Sequence, residues 1–110
     1  MTLWKIEYWK NADSGNSPIE KWLYKLTEEQ AKKIFIEISQ LSKFGNKLGL
    51  PQSRALGKGL FELREMVYGY RIYYGFHGKQ IVILLTIGDK TSQEHDIKIA
   101  RHRLMQVKKG

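Results

Sequence analysis

Residues 3–10 alternate, with Trp4, Ile6 and Tyr8 on one side and Lys5 and Glu7 on the other, the period of a half-buried strand. Residues 11–16, Asn-Ala-Asp-Ser-Gly-Asn, are turn chemistry. The period then lengthens to that of a helix. Ser17-Pro18-Ile19-Glu20 has the form of a capping box with proline at the first helical position, and Ile19, Leu23 and Leu26 continue as one apolar stripe. A second start follows at Thr27-Glu28-Glu29-Gln30, with acids in the first turn. Ala31, Ile34, Phe35, Ile38 and Leu41 repeat at helical spacing to about Phe44, where Gly45 and Asn46 stop the run. Two helices meeting at one tight cap make a helical hairpin.

Residues 45–59 are rich in glycine and read as a loop, with 54–56 as a short strand. Period two then returns in three runs, 60–67, 69–76 and 80–87. Short connections at Tyr68-Gly69 and His77-Gly78-Lys79 predict consecutive hairpins. Thr91-x-x-Glu94 caps a final helix whose stripe is Ile97, Ala100, Leu104 and Val107. The order strand, two helices, strands, helix predicts an α+β fold in one domain, 1–110. In it the helices pack on one face of an antiparallel sheet of about four strands and leave the opposite face free for ligands.

Residues two apart on a strand share a face, about 7 Å apart. Phe61, Leu63 and Val67 form one apolar set, and Tyr70, Ile72, Tyr74 and Phe76 another. Leu60, Glu62, Arg64 and Met66, with Arg71, Tyr73 and Gly75, form the mixed face. Hairpin pairing brings Arg64 and Arg71 together there. Two adjacent guanidiniums repel unless an anion sits between them, and their planar forks match a phosphate. Tyr73 is then placed to stack a base. The alternatives are that Arg64 pairs with Glu62 or Glu65 and that Tyr73 is ordinary strand filler.

Charge sharpens this reading. Nineteen Lys and Arg against eleven Asp and Glu give +8 and a pI near 9.7, which favours a phosphate-bearing or acidic partner. Gly88-Asp89-Lys90-Thr91-Ser92 joins the last strand to the last helix and offers a cation, two hydroxyls and a helix N-terminus, a setting suited to anions. Lys58, between two glycines, and Arg54, in the same loop region, are further substrate-binding candidates, as is His77 at a hairpin tip. A metal centre is not expected. His95 and His102 lie seven residues apart, about 10 Å along a helix, too far for one ion. There are no cysteines, so disulfides and thiolate sites are excluded and a reducing cytosol fits best. No run approaches the roughly 20 apolar residues of a membrane span, and the charged start is not that of a signal peptide. No phosphate-loop, nucleophile-elbow or dinucleotide motif occurs, and no cofactor is expected.

Three runs together carry a family resemblance: Leu60-Phe61-Glu62-Leu63-Arg64, Tyr70-Arg71-Ile72-Tyr73-Tyr74, and Gly88-Asp89-Lys90-Thr91-Ser92-Gln93-Glu94-His95-Asp96-Ile97. The chain resembles the RelE/ParE toxin superfamily, in its HigB-like branch of phage-derived addiction-module killer proteins. The resemblance implies a type II toxin that cleaves mRNA in the ribosome without metal, and a helix-turn-helix antitoxin partner. It implies that Arg71 holds the scissile phosphate, Lys90 stabilises the developing charge and Arg64 binds backbone phosphate. Lys58 falls where such toxins carry basic residues. Some relatives place a tyrosine or histidine near the C-terminus for proton transfer; here the final helix offers only His95 and His102. Two other functions suit the same pattern: a ParE-like poison that binds gyrase, and a basic module that grips nucleic acid without cleaving it.

Overall fold

The computed structural model describes residues 3–109. Its elements run β1 (Lys5–Tyr8), α1 (Pro18–Tyr24), α2 (Glu28–Phe44), β2 (Ser53–Gly57), β3 (Leu60–Arg64), β4 (Arg71–Phe76), β5 (Ile81–Gly88) and α3 (Gln93–Lys109). Short 3-10 turns at Gly45–Lys47 and Lys90–Ser92 precede β2 and α3. Strand order in the sheet is β1-β5-β4-β3-β2. The four later strands pair antiparallel, and β1 adds to β5 in parallel.

The helical hairpin forms where its caps place it. The Ser17 hydroxyl accepts from the Glu20 amide. At Thr27 both arms of the box close: the Gln30 amide donates to the Thr27 hydroxyl at 3.2 Å, and the Gln30 side chain accepts from the Thr27 amide at 2.9 Å. Each bond satisfies a helix-end donor that has no partner within the helix. Ile34, Ile38 and Leu41 turn inward, while Phe35 is exposed on the outer side. At Gly45 the chain adopts φ +51, and the Trp4 ring lies where a side chain would start. That contact seats the α2 terminus against the residue preceding β1.

One expectation fails at the level of layers. The helices do not share a face. The α1–α2 hairpin covers one side through Ile19, Ile34, Ile38, Leu41, Leu63, Ile72, Tyr74 and Leu84. Helix α3 covers the other side through Leu60, Tyr73, Ile83, Leu85, Ala100 and Leu104. Most of the mixed face is therefore interior, with Leu60, Glu62 and Tyr73 buried on the α3 side, while Arg64 at its end stays half-buried. Gly75 marks the closeness of that packing, because Leu104 occupies the space a side chain there would need. The cations of α3 strengthen the seal. Arg101 donates to the carbonyls of Leu56 and Gly57, and Arg103 donates to the Leu85 carbonyl while lying over the Trp9 ring at 4.2 Å.

A second difference is local. The run read as a strand over 60–67 ends at Arg64, and 65–69 is a turn. Met66 and Val67 consequently face solvent instead of lining opposite faces of a strand. No helix among the described residues is long and apolar enough to cross a membrane.

Candidate functional site

Three strands deliver cations to one end of the sheet. Arg64 closes β3 and Arg71 opens β4, and the two are direct cross-strand partners. Arg71 also lies opposite Gly88, the last residue of β5, and Lys90 follows two residues later. Arg64, Arg71 and Lys90 line a single cavity of about 140 Å³, with Glu65, Met66, Gly69 and Tyr70 completing its wall.

Arg71 is the unusual member. Its side chain is only 10% exposed, and its Nε lies 3.6 Å from the Glu62 carboxylate, beyond hydrogen-bond length. Nε and Nη1 are buried without a hydrogen-bond partner. Buried donors left in that condition cost about 1–3 kcal/mol each. The charge of Arg71 is thus balanced while its hydrogen-bonding capacity is not, the condition expected of a group that acquires partners when an anion arrives. Arg64 is half-buried and Lys90 exposed; among the described residues neither forms an ion pair.

Glu62 balances that charge from below. It is 1% exposed and opposes Arg54 on β2 and Tyr73 on β4. Its carboxylate accepts from Arg54 Nη2 at 3.2 Å and from Gln93 Nε2 at 2.9 Å. Three elements around it, β2, β4 and α3, are held through one side chain. Arg54 is therefore engaged internally, although its side chain remains 47% exposed.

Lys90 is positioned by the start of α3. The Asp89 carboxylate caps the 3-10 turn, accepting from the Thr91 amide at 2.9 Å and the Thr91 hydroxyl at 2.6 Å. The Thr91 hydroxyl, more than any other group, holds the Asp89 carboxyl below its usual pKa. The Ser92 hydroxyl donates to buried Asp96 at 2.5 Å. Both hydroxyls expected to bind substrate thus serve the turn itself. Gly88 permits this arrangement, since the Asp96 carboxylate and the Ser92 hydroxyl fill the space its Cβ would need.

Several expected site residues lie elsewhere. Tyr73 is fully buried beneath α3 and has no face to offer a base. Its hydroxyl makes no hydrogen bond of normal geometry; burial above all, then the nearby Glu62 and Asp96 carboxylates, drive its pKa up. Lys58 sits in the β2–β3 turn and His77 follows β4. Because β3 and β4 are antiparallel, these two share the sheet end opposite the cavity, about 20 Å away at strand rise. His95 and His102 line a different cleft of about 1080 Å³ beside α3, with Trp9, Lys98 and Arg103. That cleft is larger, yet none of the three converging cations reaches it, and its Arg103 is already bonded to the sheet.

Glu65, Met66 and Tyr70, which share the cavity wall, were expected as an ion-pair partner, a strand residue and a core residue and not as parts of the site, and Gln93 was also missed. The one available signal for Glu62 was a carboxylate on a cationic strand face, which needs the cross-strand register before it identifies its partners.

Comparison with known proteins agrees with this architecture. Residues 21–105 match the family described as phage-derived protein Gp49-like (DUF891), and the chain belongs to that family. An uncharacterised protein of Haemophilus influenzae strain Rd is 40% identical over 84 residues, which cover 74% of this chain and 81% of that protein. The fold is that of the RelE toxin of E. coli. A double-arginine mutant of RelE in the free state superposes with a TM-score of 0.62 over 86% of this chain and 93% of its own, at 11% identity. Isolated RelE gives 0.57 over 87% and 98%, again at 11% identity.

Proposed function

We propose that this protein is the toxin of a toxin–antitoxin pair and that it cleaves mRNA on the translating ribosome. The observation that carries the reading is the cavity where Arg64, Arg71 and Lys90 converge around unpartnered Arg71 donors. Gp49-like family membership and the RelE fold support it.

The chemistry is transesterification within RNA. The 2′-oxygen of one nucleotide attacks the adjacent phosphorus, the bond from phosphorus to the 5′-oxygen breaks, and a 2′,3′-cyclic phosphate and a 5′-hydroxyl result. The proton leaves the 2′-hydroxyl and one is delivered to the departing 5′-oxygen. Arg71 grips the scissile phosphate with the nitrogens that have no partner in the free protein. Lys90 meets the charge that develops on the phosphoryl oxygens, and Arg64 holds the neighbouring backbone. Preorganised donors of this type contribute about 10²–10³-fold each. Three cations around one cavity favour an anion and repel a divalent metal, and the Glu65 carboxylate is bonded to backbone amides, which supports a metal-independent reaction. No histidine lines the cavity, so alignment on the ribosome supplies much of the rate. The natural inhibitor is a helix-turn-helix antitoxin.

The test is induced expression in a bacterium, with mapping of mRNA 5′ ends. Wild type should arrest growth and cut within translated frames, and an Arg71→Gln/Lys90→Gln variant that retains its circular dichroism and thermal transition should do neither. Toxicity retained in that folded variant overturns the assignment. Arrest with intact mRNA and DNA damage would indicate gyrase poisoning instead.

A further inference from the structure

The 65–69 turn is built to hold apolar side chains in water. The buried Glu65 carboxylate accepts from the Val67 amide at 2.6 Å and the Tyr68 amide at 2.9 Å. The Glu65 amide donates to the Tyr70 carbonyl at 2.9 Å, and the Gly69 amide to the Glu65 carbonyl at 3.1 Å. A turn tied at four points is stiff, yet it displays Met66 at 67%, Val67 at 65% and Tyr68 at 39% exposure. Nothing in either core depends on these side chains. Rigid apolar groups kept out of the core mark a surface that another molecule covers.

Their placement indicates what that molecule is. The Tyr68 ring stacks on Tyr70 with centroids 5.6 Å apart and planes at 25°. Tyr70 is in turn braced edge-on by Trp22 at 5.1 Å. Tyr70 and Met66 both line the cationic cavity. The aromatic series thus steps from the core, past the anion-binding cations, to an exposed ring. An inorganic anion would use the cations alone. A nucleotide uses both, because it carries a flat apolar base one sugar away from its phosphate.

We infer that Tyr68, backed by Tyr70 and flanked by Met66, is the stacking platform for the nucleobase adjoining the phosphate held by Arg64, Arg71 and Lys90. This rests on the cavity being a phosphate site, as proposed above. It takes over the role that Tyr73, buried under α3, does not fill. It also selects single-stranded nucleic acid, since only an unstacked base presents a free face.

The experiment is calorimetric titration of the whole chain with three probes: inorganic phosphate, a dinucleotide whose 2′-O-methyl group blocks cleavage, and its abasic analogue of equal charge. Wild type should bind the dinucleotide more tightly than the abasic analogue. Tyr68→Ala should lose about 5- to 150-fold in dinucleotide affinity, the range for one base–aromatic stack, with phosphate affinity unchanged. Tyr68→Trp should retain dinucleotide binding. Undiminished dinucleotide affinity in Tyr68→Ala overturns the platform while leaving the anion site standing. Equal weakening toward phosphate, or loss in Tyr68→Trp as well, also overturns it, because the ring would then act only on the turn. Failure of wild type to bind phosphate or dinucleotide removes the anion site itself, and the platform with it.

Discussion

The buried pair of Glu62 and Arg71 offers a quantitative test of how the site is held. Their closest atoms are 3.6 Å apart, with side chains 1% and 10% exposed. At an effective dielectric near 20, two unit charges at that distance attract by about 4–5 kcal/mol. The misaligned Arg71 donors and the competing Arg54 and Gln93 contacts reduce the pairwise part to about 2–3 kcal/mol. Glu62→Gln keeps the shape but strands a buried guanidinium, and it should cost about 3–5 kcal/mol. Arg71→Met should cost less, because it also removes two unsatisfied donors worth about 1–3 kcal/mol each. The double variant should then be more stable than the sum of the single effects by about 2–3 kcal/mol. Urea denaturation of the four proteins measures this, and repeating it in 1 M salt should change the coupling little, since buried pairs are weakly screened. A coupling under about 0.5 kcal/mol, within the error of additivity, would refute the claim that Glu62 holds Arg71 through its charge.

Other substitutions separate the parts of the structure. Gly88→Ala places a methyl group against Asp96 and Ser92; it should destabilise by about 1–3 kcal/mol in thermal melts and reduce toxicity by shifting Lys90. Tyr73→Phe should be neutral or stabilising at pH 7, since the hydroxyl has no partner. The folded pKa of Tyr73 is raised, so its contribution is complete below the unfolded value near 10 and is lost as pH climbs above it. The Phe variant should accordingly lose less stability than wild type between pH 10 and 11, followed by denaturant titration. Lys58→Ala and His77→Ala, both at the far end of the sheet, should leave mRNA cleavage within about twofold of wild type, the scale of an ordinary surface change. A large loss of cleavage in either would mean that substrate extends the length of the sheet.

The candidate site is economical in its construction. Strand β3 ends, β4 begins and β5 ends at the same edge, so backbone pairing alone brings Arg64, Arg71 and the approach to Lys90 together. The cost of burying Arg71 is met by one carboxylate beneath it. The Asp89 cap and Gly88 then determine where α3 starts and hence where Lys90 stands. Stability and the geometry of the candidate site are tied to the same residues, and substitutions at Glu62 should therefore affect both.

Much of this was legible in the order of residues because it depends on neighbours in the chain. Ser17 and Thr27 mark helix starts through bonds to amides three residues away. Gly45 marks the end of α2, and the period of two marks the strands. The alternation along the strands put Arg64 and Arg71 on one face, but their direct pairing was not legible: a two-residue link at Tyr68-Gly69 would have set Arg64 opposite Tyr73, and the longer 65–70 connection sets it opposite Arg71. The loss of strand after Arg64 was not legible: Met66-Val67-Tyr68 has strand propensity, and the Glu65 carboxylate folding back onto the Val67 and Tyr68 amides, with the backbone bonds of Glu65 to Tyr70 and Gly69, turns it. Nor was the side of the sheet that α3 would cover. Its stripe of Ile97, Ala100, Leu104 and Val107 reveals an apolar face, but the stripe is equally compatible with either side of the sheet. Tertiary packing chose the side carrying Leu60, Tyr73 and Gly75, because the α1–α2 hairpin already occupied the other. That choice buried Tyr73 and Glu62, removed the open face, and left Arg64, Arg71 and Lys90 around a cavity at the sheet's end, where β3 and β5 stop and β4 begins.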